Sequence, residues 1–458
     1  MRTRTLAVLA LLASLAVAAW LSLRPATAAP GTVRRQSLFA EDEVPVDRVD
    51  RVRVDLADGT GLAFERGAAG WRQSAPFPHP ADPTAIREAV VLAASLVSMR
   101  AEDPARLDAA ARAALGLDPP AATVTLSWPG GERAIRLGRR TVAGRGWVQV
   151  AGRVEAASVD AALHAMVLDG DPRGWRSLRV RDGAAEDVAG IEVRFGSAPG
   201  QRMELRRAAG RWTMLAPVAT RADADAVRRY LDALDRAEAD GFVEDSPADM
   251  AAFGLAQPER MVRLAVAGGA PAQPPALEVQ VGDEVAQGAQ ERFARIDGRP
   301  AVVQLGARAL AALFPPPASM IDPRGCDAVP ADVRAVEFVP DPAAGAGAPG
   351  FSLARSRDAW ELRAADADPA PADGQRARRL LAQLCEARAP AVALQPMPAG
   401  LRLGAFVLRG EGGAELARVA VGHEPDGQWA LDGGDGVLRV FPAGFDVAVE
   451  AAAYAGSR

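Results

Sequence analysis

FERGAAGW at residues 64–71 recurs in altered form as LRRAAGRW at 205–212 and as LARSRDAW at 353–360. In each copy an alternating run of apolar and polar residues comes first, a turn follows, and a second run ends at the tryptophan. Period-two alternation is the pattern of a half-buried strand, and two such runs joined by a turn predict a β-hairpin. The sequence therefore predicts three related hairpins along one chain.

An aspartate follows each tryptophan after a proline-bearing loop, at spacings of 11, 11 and 13 residues. In the first copy proline comes next, and this order is preferred at the N-cap and first position of a helix. Beyond each aspartate, apolar residues recur every three or four positions, as Ile86, Val90, Ala93 and Val97 do in the first copy. The pattern predicts an amphipathic helix that packs against each hairpin.

A glycine-containing motif comes after each helix: LGLDPP at 115–120, FGLAQP at 253–258 and AGLRLG at 399–404. We expect the first glycine of each motif to adopt a positive φ, and the prolines to prevent continuation of a helix. Further strand patterns follow, one of which ends in glycine in every copy, as IRLG, VQVG and VAVG. A short alanine-rich helix is predicted to close each unit.

These recurring positions predict an α+β fold class. The unit is a mostly antiparallel β structure with one longer amphipathic helix and a short closing helix, present as three tandem repeats after an N-terminal transmembrane helix. Its structural landmarks are Trp71, Trp212, Trp360, Asp82, Asp223, Asp373, Gly116, Gly254 and Gly400. The predicted boundaries are a membrane anchor or signal segment at 1–29, a linker at 30–43, and repeats at 44–170, 171–321 and 322–458.

The N-terminus has the pattern of a membrane-inserting segment. Residues 5–23 carry no charge, and a helix of this length spans about 28 Å, close to the thickness of a hydrocarbon core. Arg2 and Arg4 precede the run, which favours a cytoplasmic N-terminus. We expect an inner-membrane anchor with the body in the periplasm or otherwise outside the cytoplasm. The alternative is a signal peptide cleaved after residues 26–28, which gives a secreted protein.

The composition excludes several kinds of chemistry. All 53 basic residues are arginine, since the chain has no lysine, so neither a phosphate-binding P-loop lysine nor a Schiff-base lysine is present. The net charge of −5 gives no broad basic surface, which argues against nucleic acid as a partner. Cys326 and Cys385 are too few for a four-cysteine zinc site. They form a possible disulfide in an oxidising compartment, and the alternative is two separate buried thiols.

No catalytic arrangement is recognisable. His79, His164 and His423 are the only histidines, they show no spacing typical of a metal-binding helix, and His79 is expected to be a solvated loop residue. The sequence contains no G-x-S-x-G motif. LDGGDG at 431–436 lacks the ligand spacing of a calcium loop and is interpreted as a turn. We therefore expect no catalytic residue, no metal, no cofactor and no enzymatic activity.

The order of landmarks resembles a bacterial family of domains of unknown function, the one numbered 4340. The residues that carry the likeness in the first copy are Trp71, Asp82, Pro83, the motif at 116–120 and the strand end at 135–138. The second and third copies match more weakly. The resemblance implies envelope proteins that are often encoded beside ABC-type transport systems of the gliding-motility kind. It supplies no activity, cofactor or catalytic residue.

Two functional hypotheses follow. The first is a membrane-anchored, extracytoplasmic scaffold or accessory protein of an envelope complex such as an ABC-type transport system. Its partners are then the cytoplasmic membrane, through the N-terminal helix, and an envelope protein such as a transporter subunit. The second is an extracytoplasmic module that binds a ligand or polymer in clefts between the repeats. The oligomeric state and the identity of the partner or ligand do not follow from the sequence.

Overall fold

The computed structural model describes residues 36–40, 42–102, 107–141, 144–181, 188–198, 200–266, 276–344, 349–356, 359–364 and 367–456. The chain divides into two compact units, Met1–Ser177 and Leu178–Arg458. Each unit is built mainly from antiparallel β-sheet, in which alternating side chains are buried on one face.

The first unit contains a nine-stranded antiparallel sheet among its described residues, which we call the first sheet. Its strands, in spatial order, are His79–Pro80, Gly70–Ala75, Gly61–Gly67, Arg51–Leu56, Ala122–Trp128, Gly131–Thr141, Arg145–Val150, Ala157–Asp160 and Arg100–Ala101. A two-stranded ribbon pairs Gln36–Ser37 with Val97–Ser98.

The second unit contains two nine-stranded antiparallel sheets among its described residues, and both have the same order of strands along the chain as the first sheet. In the second sheet the strands are Thr220–Arg221, Arg211–Ala216, Arg202–Ala208, Val188–Arg194, Arg260–Val266, Leu277–Glu284, Arg292–Ile296, Val302–Leu305 and Gly241–Glu244. In the third sheet they are Ala370–Pro371, Ala359–Ala364, Phe351–Ser356, Ala335–Pro340, Arg402–Arg409, Glu415–His423, Trp429–Asp432, Leu438–Phe441 and Ala391–Ala393.

Six α-helices lie among the described residues: α1 (Pro83–Ala94), α2 (Ala109–Ala114), α3 (Ala162–His164), α4 (Ala224–Asp235), α5 (Ala307–Leu313) and α6 (Gly374–Cys385). A π-helical turn, Ala165–Asp169, continues α3. Single 3-10 turns occupy Val46–Arg48, Pro172–Trp175, Ala251–Phe253, Pro317–Met320, Pro330–Asp332, Pro342–Ala344, Ala399–Leu401, Glu411–Gly413, Ala443–Phe445 and Ala451–Tyr454.

The long helices α1, α4 and α6 cover one face of the first, second and third sheets, respectively. Each buries an apolar stripe in the same hydrophobic cluster as the strands of its sheet. Alternate strand residues such as Val52, Val54 and Phe64 face α1, while Arg51 and Arg53 point to the exposed face. The period-two pattern of the strands and the helical stripe therefore meet in one core per sheet.

The three tryptophans begin a strand and do not end one. Trp71, Trp212 and Trp360 are each the second residue of their strand. Gly70, the first residue of its strand, has φ of 101°, and Gly210, in the turn before Trp212, has φ of 77°. The prediction that a strand ends at the tryptophan is wrong. The apolar–polar alternation of the sequence continues from one strand into the next, so it does not show where the turn between them lies.

The helix-capping aspartates act on the backbone as expected for N-caps. Asp82 accepts a hydrogen bond from the amide N–H of Thr84 at 2.8 Å. Asp223 and Asp373 accept in the same way from residues two positions further on. Such a bond satisfies an amide that the helix itself leaves without a partner.

Replacing Asp82 by alanine is expected to lower the stability of the first unit by about 1 kcal/mol, because the Thr84 amide loses its acceptor. Thermal unfolding of the full-length chain measures the change. The control is Asp82→Asn, which retains a capping oxygen and is expected to stay close to the wild type. Equal losses in both variants would contradict a capping role.

The glycine motifs differ among the copies. Gly116 and Gly254 have φ of 68° and 67°, in the left-handed region that favours glycine. Gly400 instead lies within the 3-10 turn Ala399–Leu401, and it is not among the described glycines with positive φ. The third motif lacks the proline of the others and takes a different local structure.

The predicted fold class and localisation are wrong in their membrane helix. In the part of the chain that the structure describes, no helix is long and apolar enough to cross a bilayer. The longest helices, α1, α4 and α6, have 12 residues and span about 18 Å, against roughly 30 Å for a hydrocarbon core. The predicted anchor at 5–23 and the alternative cleavage site at 26–28 lie outside the described residues.

Candidate functional site

Two of the three histidines are held by aromatic neighbours. His79 is only 2% exposed, its ring lies edge-on to Phe77 at 6.4 Å between centroids, and its Nδ1 is 2.8 Å from the carbonyl oxygen of Pro80. The expectation of a solvated His79 is therefore wrong. His423 lies edge-on to Trp429 at 5.0 Å. His79 is therefore a packed side chain, whereas His423 is exposed and its ring edge contacts Trp429.

His164 is fully buried against the backbone of the first sheet. Its Nε2 donates to the carbonyl oxygen of Trp147 at 3.0 Å, and its ring fills the space where a side chain on Gly146 would stand. Its Nδ1 has no hydrogen-bond partner among the described residues. Burial lowers the pKa of His164 below its usual 6.5, and the bond to Trp147 only partly opposes this effect.

We expect the first unit to lose stability as the pH falls from 7 towards 5. The unfolded chain takes up a proton on His164 below pH 6.5, whereas the folded chain resists protonation, so stability is lost as the pH falls towards the folded pKa. Melting temperatures across this range test the effect. In His164→Gln the glutamine can donate to the Trp147 carbonyl but does not titrate. The melting temperature of this variant should therefore fall less than that of the wild type between pH 7 and 5. An identical fall in both proteins would contradict the assignment.

No group of three or more histidine, cysteine, aspartate or glutamate side chains among the described residues is placed to hold a metal ion. In the loop at 431–436, one oxygen of Asp432 accepts from the amide of Gly434 at 2.8 Å, and the other accepts from the amide of Met397 at 3.1 Å. This carboxylate is therefore occupied by peptide groups, as in a structured turn.

Among the described residues, a group of buried charges lies in the second unit, where the second and third sheets meet. Arg439, on the strand Leu438–Phe441 of the third sheet, has 0% exposure. It donates to both carboxylate oxygens of Asp435, at 3.0 and 2.7 Å. It also donates to the carbonyl oxygens of Asp322 and Val437, at 2.9 and 3.2 Å. The guanidinium is thus surrounded by acceptors, as a buried charge requires.

The edge of the second sheet contributes two residues to this site. Thr220 donates from its hydroxyl to Asp435 at 2.5 Å. Arg221 lies with Nε 3.5 Å from a carboxylate oxygen of Asp322, and it donates to the carbonyl oxygen of Arg324 at 2.8 Å. We call Thr220, Arg221, Asp322, Asp435 and Arg439 the Arg439 cluster.

Further charges at its margin are also paired. Arg324 donates from Nη2 to Asp322 at 2.8 Å, and Arg388 pairs with Asp223, the N-cap of α4. Burial would raise the pKa of Asp322 and Asp435, but hydrogen bonds and the charges of the arginines outweigh it and lower both pKa values below 3.8. Both carboxylates are therefore ionised at neutral pH, and each faces an arginine.

An apolar residue crosses the same junction. Val437, which precedes the third-sheet strand Leu438–Phe441, belongs to the hydrophobic core of the second sheet. Val218, in the loop between the second-sheet strands Arg211–Ala216 and Thr220–Arg221, lies 3.5 Å from where a β-carbon on Gly436 would stand. The junction is therefore filled by a valine and by ion pairs, in which Asp322 and Asp435 each face an arginine.

The sequence landmarks fall at different places around this site. Asp223 lies at its margin, whereas Asp82 and Asp373 cap other helices. Trp360 is buried in the third core, and Trp71 and Trp212 are half-buried against the first and second cores. Among the landmarks, the contacts described bring only Asp223 to the cluster.

Sequence reasoning missed Thr220, Arg221 and Arg439, and it interpreted the segment that contains Asp435 only as a turn. Arg439 stands in the run VLRVF, where an alternating pattern favours an exposed side chain for arginine. One sequence feature does point to this site. The motif DPRG at 322–325 lies at the boundary between the second and third predicted repeats, and it contains Asp322, whose carbonyl oxygen accepts from Arg439.

The fold and the cluster together define a protein of tandem antiparallel sheets whose buried charges join two of its sheets. A family model, Domain of unknown function (DUF4340), matches residues 71–217 and 212–402, which is well over half of the chain. The protein belongs to this family, so the resemblance is confirmed at that level. The two matched segments begin at Trp71 and Trp212, equivalent positions in the first two sheets. No curated protein matches the chain.

Proposed function

We propose that the protein is a non-catalytic scaffold that binds another protein, with Leu178–Arg458 as a rigid two-sheet platform. The Arg439 cluster is the observation that carries this proposal. A buried ion pair forms only in one geometry, because a displaced partner leaves an unpaired charge out of water. Thr220 and Arg221 of the second sheet contact Asp435 and Asp322 of this cluster, so the cluster favours one fixed relation between the second and third sheets. A scaffold that binds its partner through both sheets needs such a relation.

The same junction argues against the alternative function, in which ligands bind in clefts between repeats. In the second unit, Val437 and Arg439 occupy the space that such a cleft would need. Arg439 is already hydrogen-bonded to Asp435 and to the carbonyl oxygen of Asp322. A ligand at this position would have to displace paired charges, at a cost of several kcal/mol.

Two finer points belong to the same proposal. We propose that the chain holds three copies of the family unit, because the three sheets share one strand order. The boundaries at 44–170, 171–321 and 322–458 stay a prediction. We propose an accessory role beside an ABC-type transport system, with a transporter subunit as the partner. Support for this partner comes from the family resemblance alone.

In-cell cross-linking tests the scaffold function. Full-length protein is cross-linked in its native cells, purified, and analysed by quantitative mass spectrometry. The proposal expects one protein partner in near-stoichiometric amount, reduced in a variant with a broken junction, Arg439→Met, but not in the surface variant Arg418→Met. Recovery of the chain alone, under conditions that preserve other complexes, would contradict it. Saturable binding of a small ligand or polymer without any protein partner would favour the alternative.

A further inference from the structure

The two cysteines of the chain lie next to each other at the C-terminal end of α6. Cys326 follows the DPRG motif, and Cys385 is the last residue of α6. Each is 2% exposed, and their sulfur atoms lie 3.0 Å apart. Both residues carry thiols in the structure.

The backbone holds these residues together independently of the sulfurs. The amide of Cys326 donates to the carbonyl oxygen of Leu384 at 3.1 Å, and the amide of Ala389 donates to that of Pro323 at 3.1 Å. Close packing at Gly325 fits the same arrangement, since a β-carbon there would lie 2.6 Å from the Leu384 oxygen. The segment before Cys326 therefore runs beside the end of α6.

We infer that Cys326 and Cys385 form a disulfide bond that ties the DPRG segment to the end of α6. A disulfide has a sulfur–sulfur distance of about 2.05 Å, so the thiols need to approach by only about 1 Å. Two unrelated buried thiols have no need to meet, whereas here the backbone bonds place them as a pair. The inference concerns a covalent modification and does not depend on the proposed function.

The oxidant is a disulfide, either a small one such as oxidised glutathione or that of a thiol–disulfide oxidoreductase. The hydrogen bond with Cys385 lowers the pKa of Cys326, although burial opposes the shift, so Cys326 is the first nucleophile. Local opening of the DPRG segment exposes the buried Cys326, and its thiolate then attacks the oxidant and releases one thiol of the oxidant. Cys385 then loses its proton, attacks the Cys326 sulfur and releases the second thiol. Two protons and two electrons pass to the oxidant.

The bond would act on the segment that supplies Asp322 and Arg324 to the junction. Because Arg221 contacts both residues, a covalent link at Cys326 fixes the third-sheet side of that contact. The bond would also close a loop across 59 positions, which restricts the unfolded chain. We expect the oxidised protein to melt about 5 to 10 °C higher than the reduced protein.

Peptide mapping tests the bond in the full-length wild-type protein. The protein is equilibrated with oxidised glutathione, unfolded in the presence of an alkylating reagent, and digested with trypsin without reduction. Cleavage after arginine should give peptide 325–334 joined to peptide 380–388, which separate on reduction. Two alkylated cysteines and no joined peptide would overturn the inference.

A matched variant tests the effect on stability. Cys385→Ser removes one sulfur and nearly preserves the side-chain volume. The melting temperature of the wild type should depend on the redox state, whereas that of the variant should not. If the wild type forms the joined peptide but melts at the same temperature when reduced, the proposed constraint on the DPRG segment is wrong. The mapping result stands independently of whether the variant folds.

Discussion

Replacement of Arg439 by methionine is expected to destabilise the second unit by about 3 to 5 kcal/mol. Methionine fills part of the volume but cannot donate to Asp435 or to the carbonyl oxygen of Asp322. Asp435 is then left as a half-buried carboxylate with only Thr220 as a described side-chain donor. Removal of one partner from a buried pair typically has a cost of this size. Urea unfolding of the full-length chain, followed by far-UV circular dichroism, measures it.

Arg418→Met is the matched control. Arg418 lies on another strand of the third sheet and pairs with Glu415 at 3.1 Å, but it is 52% exposed and its partner is 40% exposed. An exposed pair of this kind contributes about 0 to 1 kcal/mol. If Arg439→Met and Arg418→Met lowered the free energy of unfolding by similar amounts, the buried contacts of Arg439 would not stabilise the second unit. That result would contradict the structural role of the Arg439 cluster.

Replacement of Gly282 by alanine is expected to destabilise the second unit by about 3 kcal/mol. Gly282 lies in the strand Leu277–Glu284, and a β-carbon there would stand closer than 3.0 Å to the carbonyl oxygen of Phe253. That oxygen belongs to the backbone, so it cannot rotate away, and an overpacked site of this kind is strained. The same unfolding experiment measures the loss.

The control for this substitution is Gly241→Ala. Gly241 begins the strand Gly241–Glu244, and no heavy atom lies within 4 Å of its β-carbon position. The free energy of unfolding of Gly241→Ala should stay within about 0.5 kcal/mol of the wild-type value. If Gly282→Ala lowered the free energy of unfolding no more than Gly241→Ala, the proposed close contact between the Phe253 carbonyl and the strand at Gly282 would be contradicted.

The recurrence of this glycine explains why three similar β units could be predicted from the sequence. Gly138 and Gly422 end the equivalent patterns, and a β-carbon on either would also stand closer than 3.0 Å to a backbone oxygen, of Leu115 and Leu401. Each of these oxygens lies beside a glycine motif. The same steric restriction therefore requires glycine at the equivalent position of each sheet, and this glycine recurs in the sequence after each glycine motif. The helices and strands could be predicted for the same reason, because their periodicity is local.

The junction could not be predicted in this way. Arg439 meets Asp322 across 117 positions, and Thr220 meets Asp435 across 215. Such contacts depend on how two sheets pack, and an arginine in a strand carries no local sign that it will be buried. The prediction of a strand end at Trp71 and Trp212 has a local reason, since the two-residue turn before each hardly interrupts the alternation. The buried state of His79 likewise depends on Phe77 and on its strand partners.

Hydrogen exchange across the junction is the most direct test of the claim that the Arg439 cluster joins the two sheets. Amide exchange is measured by mass spectrometry in full-length wild type, Arg439→Met and Arg418→Met. The structure predicts faster exchange in Arg439→Met on both sides, at 220–223 in the second sheet and at 435–441 in the third. Faster exchange at 435–441 alone, with 220–223 unchanged, would contradict a rigid two-sheet platform.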